Sequence, residues 1–103
     1  VVIKRGTILA VEAFEGTDAT IRRGGELGGE GAVVVKVAKR GHDMRFDIPV
    51  VGMHTFKTLK KAGVSALAVE AGRTILLERE RLREEADRLG IAFVAVPTED
   101  SHA

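Results

Sequence analysis

The sequence contains no cysteine, tryptophan or tyrosine. Without thiols it has neither a disulfide framework nor a thiolate metal site, which fits a reducing, cytoplasmic compartment and leaves any metal to oxygen or imidazole ligands. Four phenylalanines are the whole aromatic content, so the stacking platform of a single-strand binder is missing. Neither sign of charge dominates: sixteen basic residues against fifteen acidic ones give a formal net charge of +1. No large single-sign field therefore draws the chain to nucleic acid or to an anionic membrane. Nucleic acid is excluded as a partner. No apolar run approaches the roughly 20 residues that span a bilayer, and the layout of a signal peptide is absent.

What is present suits one α/β domain over residues 1–103, long enough for a core without staples. The chain starts at Val1 without a methionine and enters strand-like sequence at once, the pattern of a fragment or a mature product. Val1–Ile3 and Thr7–Val11 are β-branched runs around Lys4-Arg5-Gly6, spaced for a hairpin. Thr17 or its neighbour caps a short helix through Ile21 and Arg22, with Asp18 in its first turn, and the glycine-rich stretch from Gly24 to Gly31 reads as a loop. Ala32–Ala38 is a strand buried on both faces. Lys39–Gly52 loses periodicity, and Pro49 denies it a central-strand role. Met53, Phe56, Leu59 and Ala62 mark a helix stopped by Gly63. Val64–Ala71 and Thr74–Leu77 are strands around Gly72. Glu78–Leu89 is the clearest helix, with Leu82, Ala86 and Leu89 inward and i,i+4 pairs Glu84–Arg88 and Arg81–Glu85 outward. Ile91–Val96 is the last strand. The order is ββαβαββαβ: a mixed central sheet with about three helices.

Two stretches carry more chemistry than a core requires: Glu12-Ala13-Phe14-Glu15-Gly16-Thr17-Asp18, and Lys36 through Pro49. Both crowd carboxylates against cations beside glycine, which suits a metal-bridged phosphate. Pyrophosphate hydrolysis needs charge neutralisation on phosphoryl oxygens and an oriented water. A hard divalent ion, Mg²⁺ or Mn²⁺, supplies both through carboxylate and water oxygens. Glu12, Glu15, Asp18, Asp43 and Asp47 are its candidate ligands.

Asp47 ranks first, because Pro49 biases Ile48 away from the helical region and can hold the carboxylate rigidly; a turn residue paired with Arg45 is the competing reading. Glu15 to Asp18 reads either as an anion site at a helix N-terminus, with a cation between the carboxylates and Arg22 and Arg23 alongside, or as an ordinary N-cap. Lys36, inside an apolar run, is a phosphate ligand or a salt-bridged strand residue. Lys39, Arg40 and Arg45 grip a diphosphate or form a solvated face. Gly72-Arg73-Thr74 pins a second loop or simply turns the chain. The three histidines are scattered and define no catalytic constellation. P-loop, dinucleotide and nucleophile-elbow glycine patterns are all missing.

The wording of these stretches also resembles a known family. Ala10-Val11-Glu12-Ala13-x-Glu15-Gly16-Thr17-Asp18-x-x-Ile21-Arg22-Arg23 is followed by Val35-Lys36-Val37-Ala38-Lys39, Asp43-x-Arg45-Phe46-Asp47-x-Pro49-x-x-Gly52 and Ala68-Val69-Glu70-Ala71-Gly72-Arg73-Thr74. In this order they resemble the C-terminal domain of the LpxI family, UDP-2,3-diacylglucosamine pyrophosphatases of lipid A biosynthesis. Arg40 and His42 stand where the family pattern has proline and glutamine.

The resemblance implies the catalytic half of a two-domain, Mg²⁺- or Mn²⁺-dependent hydrolase releasing UMP and 2,3-diacylglucosamine 1-phosphate. Asp47 is then catalytic and metal-binding, with Asp18 and Glu15 supporting the cation. Thr17, Arg22, Lys36, Lys39, Arg45 and Gly72 contact substrate. Implied partners are the lipid-linked nucleotide sugar and an N-terminal domain, with peripheral contact at the inner membrane and homo-oligomerisation left open. The alternative is a non-catalytic module binding a nucleotide or lipid phosphate.

Overall fold

A computed structural model describes residues 1–12, 15–37 and 49–97. The elements are β1 (Val2–Lys4), β2 (Thr7–Ala10), α1 (Thr17–Gly28), β3 (Val33–Lys36), β4 (Val50–Val51), α2 (Met53–Lys61), β5 (Ala66–Glu70), β6 (Ile75–Leu76), α3 (Arg79–Leu89) and β7 (Ala92–Val96). The expected order holds, with the two-residue strand β4 added beside Pro49. It pairs in parallel with β6 in a separate two-stranded sheet.

The main sheet has the order β2-β1-β3-β5-β7. β1 is antiparallel to both β2 and β3, whereas β3, β5 and β7 are parallel. Two β-α-β crossovers link the parallel strands, and α2 packs against α1 as well as α3. Val2, Val34, Leu67 and Phe93 form one registered row across four strands. They meet the helices there: Phe56 of α2 stands edge-on to Phe93, ring centroids 5.3 Å apart. Ile21, Leu59 and Leu82 complete the contact, each fully or nearly fully buried.

The glycine-rich stretch is not the expected loop at its start, because α1 continues to Gly28. Gly24 and Gly25 are there for close approach. A Cβ on Gly24 would lie 2.6 Å from Val2 Cβ, and one on Gly25 would lie 2.6 Å from the Ala62 carbonyl oxygen. Glycine lets α1 lie against β1 on one side and α2 on the other. Gly25→Ala gains up to about 1 kcal/mol of helix propensity, but the obstructing atom is backbone and cannot rotate away. Overpacking of this kind costs about 1–3 kcal/mol, so a lower urea midpoint is expected; an unchanged or raised midpoint would show that α1 and α2 are not in such close contact.

The surface pairing of α3 also differs from expectation. Arg81 pairs with Glu78 and Arg88 with Glu85, both at i,i+3. Leu82 and Ala86 are buried as the periodicity requires.

Candidate functional site

Because β1 runs against both its neighbours, β2 runs in the same direction as β3, β5 and β7. The carboxyl ends of these four strands share one edge of the sheet, the place where open α/β sheets collect ligands. A cleft of about 440 Å³ opens there, bounded by Glu12 after β2, Thr17 and Thr20 of α1, Lys36 at the end of β3, and Pro49 and Val50.

Lys36 projects from the helix-covered side of β3, the side that also carries Val34. Its Nζ donates to the Val50 carbonyl at 2.7 Å. Burial lowers its pKa below the ordinary lysine value, and the nearby carboxylates of Glu12 and Asp18 only partly oppose this. A half-buried cation whose one protein hydrogen bond among the described residues is to a neutral carbonyl favours an anionic ligand. Thr17 opens α1, and its hydroxyl donates to Glu12 Oε1 at 2.7 Å. The N-cap is Gly16, with φ 90° and no side chain to occupy the first-turn N–H groups. These groups add the positive end of the helix dipole.

The two acidic residues beside this N-terminus have their own partners within the chain. Arg23 Nη2 donates to Glu15 Oε1 at 2.6 Å and to the Val11 carbonyl at 3.0 Å. Thr20 Oγ1 also donates to Glu15 Oε1, at 3.0 Å. The Glu15 carboxyl is held below its usual pKa by its own backbone N–H, by Thr20 and by Arg23. Asp18 Oδ2 lies 2.8 Å from His54 Nε2 at the start of α2. Their repulsion of a phosphate is thereby reduced within the chain, without a cation placed between them.

The same pairing answers how these residues suit a divalent ion. Among the described residues no three carboxylate or imidazole groups converge to hold one. Glu15 and Asp18, engaged as they are, do not form such a site by themselves.

Thr17 and Lys36 thus come together in the cleft, with Glu15 and Asp18 at its border. Arg22 is exposed on α1 and does not line the cleft; its neighbour Arg23 makes the contacts. Gly72 lies at the same sheet edge, in the turn from β5 to β6, at φ 75°, outside the cleft. Asp47, Lys39 and Arg45, with Asp43 and His42, fall outside the described residues. The chain leaves the described region at Val37 and returns at Pro49, both on the cleft wall. Sequence reasoning did not foresee the Glu12–Thr17 bond, the Val50 carbonyl or the His54–Asp18 contact. A carboxylate just past a strand exit is a legible signal for Glu12; the other two depend on how α2 sits.

The family model for the LpxI C-terminal domain matches residues 1–94. A relative from Caulobacter vibrioides, named UDP-2,3-diacylglucosamine pyrophosphatase LpxI, is 35% identical over 107 aligned residues. That match covers 96% of this chain and 38% of the relative, so the chain spans about two fifths of the relative's length. With the ordered motifs, the cleft and all of the mixed sheet but the end of β7 inside the matched span, the chain belongs to the LpxI C-terminal domain family.

Proposed function

We propose that this chain is the catalytic part of a UDP-2,3-diacylglucosamine pyrophosphatase. In the reaction a water oxygen bonds to one phosphorus of the diphosphate and the bridging P–O bond breaks, giving UMP and 2,3-diacylglucosamine 1-phosphate. The observation that carries this reading is the joint placement of Lys36 and the open N-terminus of α1 on one cleft, with Glu15 and Asp18 already paired. Such a site takes a polyanion, and family membership supports this one.

Lys36 would neutralise phosphoryl oxygens as charge shifts onto the leaving phosphate. The first-turn N–H groups of α1, that of Thr17 among them, would hold them in place, while the Thr17 hydroxyl donates to Glu12 and fixes that carboxylate beside the helix start. Asp47 is the proposed residue that positions water, from the segment between Val37 and Pro49, with Lys39 and Arg45 as further phosphate contacts and Gly72 as a backbone contact at the same sheet edge. A Mg²⁺ or Mn²⁺ requirement belongs to the proposal through Asp47, with Asp18 and Glu15 as its supporters.

No helix among the described residues is long and apolar enough to cross a membrane. A cytoplasmic enzyme acting at the inner membrane is proposed, with the sugar's acyl chains and the uridine held partly by an N-terminal domain, since ligand sites commonly form between domains. The test is UMP release by the full-length protein, with and without EDTA. Release that EDTA abolishes is expected; tight uridine-nucleotide binding without release would favour the non-catalytic module.

A further inference from the structure

With Lys57, Lys60 and Lys61 and no acidic residue, α2 alone carries three positive charges in a chain whose formal net charge is +1. Among the exposed residues of α2 are His54, Lys57, Lys60 and Lys61, and the helix has no acidic residue. Between α2 and α3 lies a groove of about 310 Å³, floored by Met53 and Leu89 and rimmed by Lys57, Lys60, Lys61 and Arg88. Its one carboxylate, Glu85, is taken by Arg88. Arg22 extends the face across α1. Asp18, four residues before it, meets His54, and Gly25, three residues after it, abuts Ala62.

Ordinary helix chemistry accounts for part of this. Lys60 and Lys61 are in the last turn of α2, where the dipole favours cations, and Lys60 Nζ reaches the Leu89 carbonyl at 3.5 Å. Lys57 is in mid-helix and gains nothing from the dipole. It lies four residues before Lys61, a like-charge spacing that mildly destabilises an isolated helix. A large anionic partner would turn that repulsion into attraction.

We propose that the α2–α3 face docks on an anionic lipid bilayer. Clusters of four to eight Lys and Arg on a helix face are attracted by the negative surface potential of such membranes. Lysine stems together with Met53 and Leu89 offer a shallow apolar floor beneath charged heads, which suits the headgroup boundary. No aromatic ring lines the groove, so nucleic-acid stacking has no platform. The choice of a bilayer over an acidic protein rests on the reading that the substrate is diacylated. Docked this way, the amino ends of α1 and α2, which border the cleft, lie beside the headgroups.

The test is co-sedimentation of the full-length protein with phosphatidylcholine vesicles containing one-third phosphatidylglycerol, against vesicles of phosphatidylcholine alone. Binding to the anionic vesicles only, weakening as salt rises, is expected. At about 1 kcal/mol for each lysine, Lys57→Gln with Lys61→Gln should weaken it about thirtyfold, leaving turnover of detergent-dispersed substrate unchanged. No binding to either vesicle, equal binding to both, or an unaffected double variant would overturn the proposal. Absent turnover in detergent, with anionic binding intact, would instead remove the substrate reading and leave the docking face standing.

Discussion

Asp47→Ala in the full-length protein is expected to lose on the order of 10²–10³ in kcat, the usual cost of removing one group that orients water or stabilises developing charge. Asp47 ranks first from its setting two residues before Pro49 and from the residue-by-residue match of Arg45-Phe46-Asp47-x-Pro49 to the family pattern. The core of the described residues is assembled without it. Circular dichroism and the urea midpoint of the variant should therefore match wild type. Asp47→Asn keeps the shape and removes the charge, so it separates the two contributions: a comparable loss is expected if the carboxylate's charge is what matters. Retention of more than about a tenth of wild-type turnover by either variant would remove Asp47 from the catalytic role.

The second large effect is expected at Lys36. Lys36→Met keeps the aliphatic stem in the sheet but removes the cation facing the cleft. If Lys36 holds phosphoryl oxygens in the transition state, kcat/KM falls on the order of 10²–10³. Stability should hold or rise, because the native state no longer has to desolvate an ammonium group. The pH dependence follows from the same burial. Folding lowers the Lys36 pKa below its value in the unfolded chain, so between the two pKa values the unfolded state binds more protons and stability increases with pH. Activity behaves oppositely, since the charged form binds phosphate: kcat/KM should fall as pH climbs through the lowered pKa, earlier than an ordinary lysine would dictate. Lys36→Arg, which stays charged, should remove that alkaline limb. A Lys36→Met enzyme with unchanged kinetics and a lower melting temperature would make Lys36 a structural residue.

The sheet was legible because its strands are short apolar runs punctuated by glycine, β-branched in Val33–Lys36 and built of Ala, Leu and Val in Ala66–Glu70. α2 and α3 were legible from the spacing of Phe56 and Leu59 and of Leu82 and Ala86. Gly24 and Gly25 misled because local chemistry gives glycine to loops, while here packing against Val2 and Ala62 demands it inside a helix. β4 was hidden beside Pro49, and its pairing with β6 is a tertiary event between two-residue segments.

At the site, Thr17 and Lys36 could be singled out because each breaks its local pattern, a hydroxyl after glycine and a cation in an apolar strand. Their meeting could not, since it depends on β1 reversing against both β2 and β3. The identical pentapeptides Leu9–Ala13 and Leu67–Ala71 illustrate the limit. The strands that carry them, β2 and β5, end at the same sheet edge, yet Glu12 faces the cleft and bonds Thr17, while Glu70 is buried with Arg73 at 3.8 Å. Equal words acquire different roles from their neighbours across the sheet.

The central claim is that the substrate's diphosphate sits between Lys36 and the N-terminus of α1. The most direct measurement is an amide-resolved NMR titration of the full-length protein with UDP. The largest shifts are expected at Gly16, Thr17, Lys36 and Val50, with Lys36→Met abolishing saturation at the same ligand concentration. Shifts confined to other surfaces, or saturation that survives Lys36→Met unchanged, would contradict it.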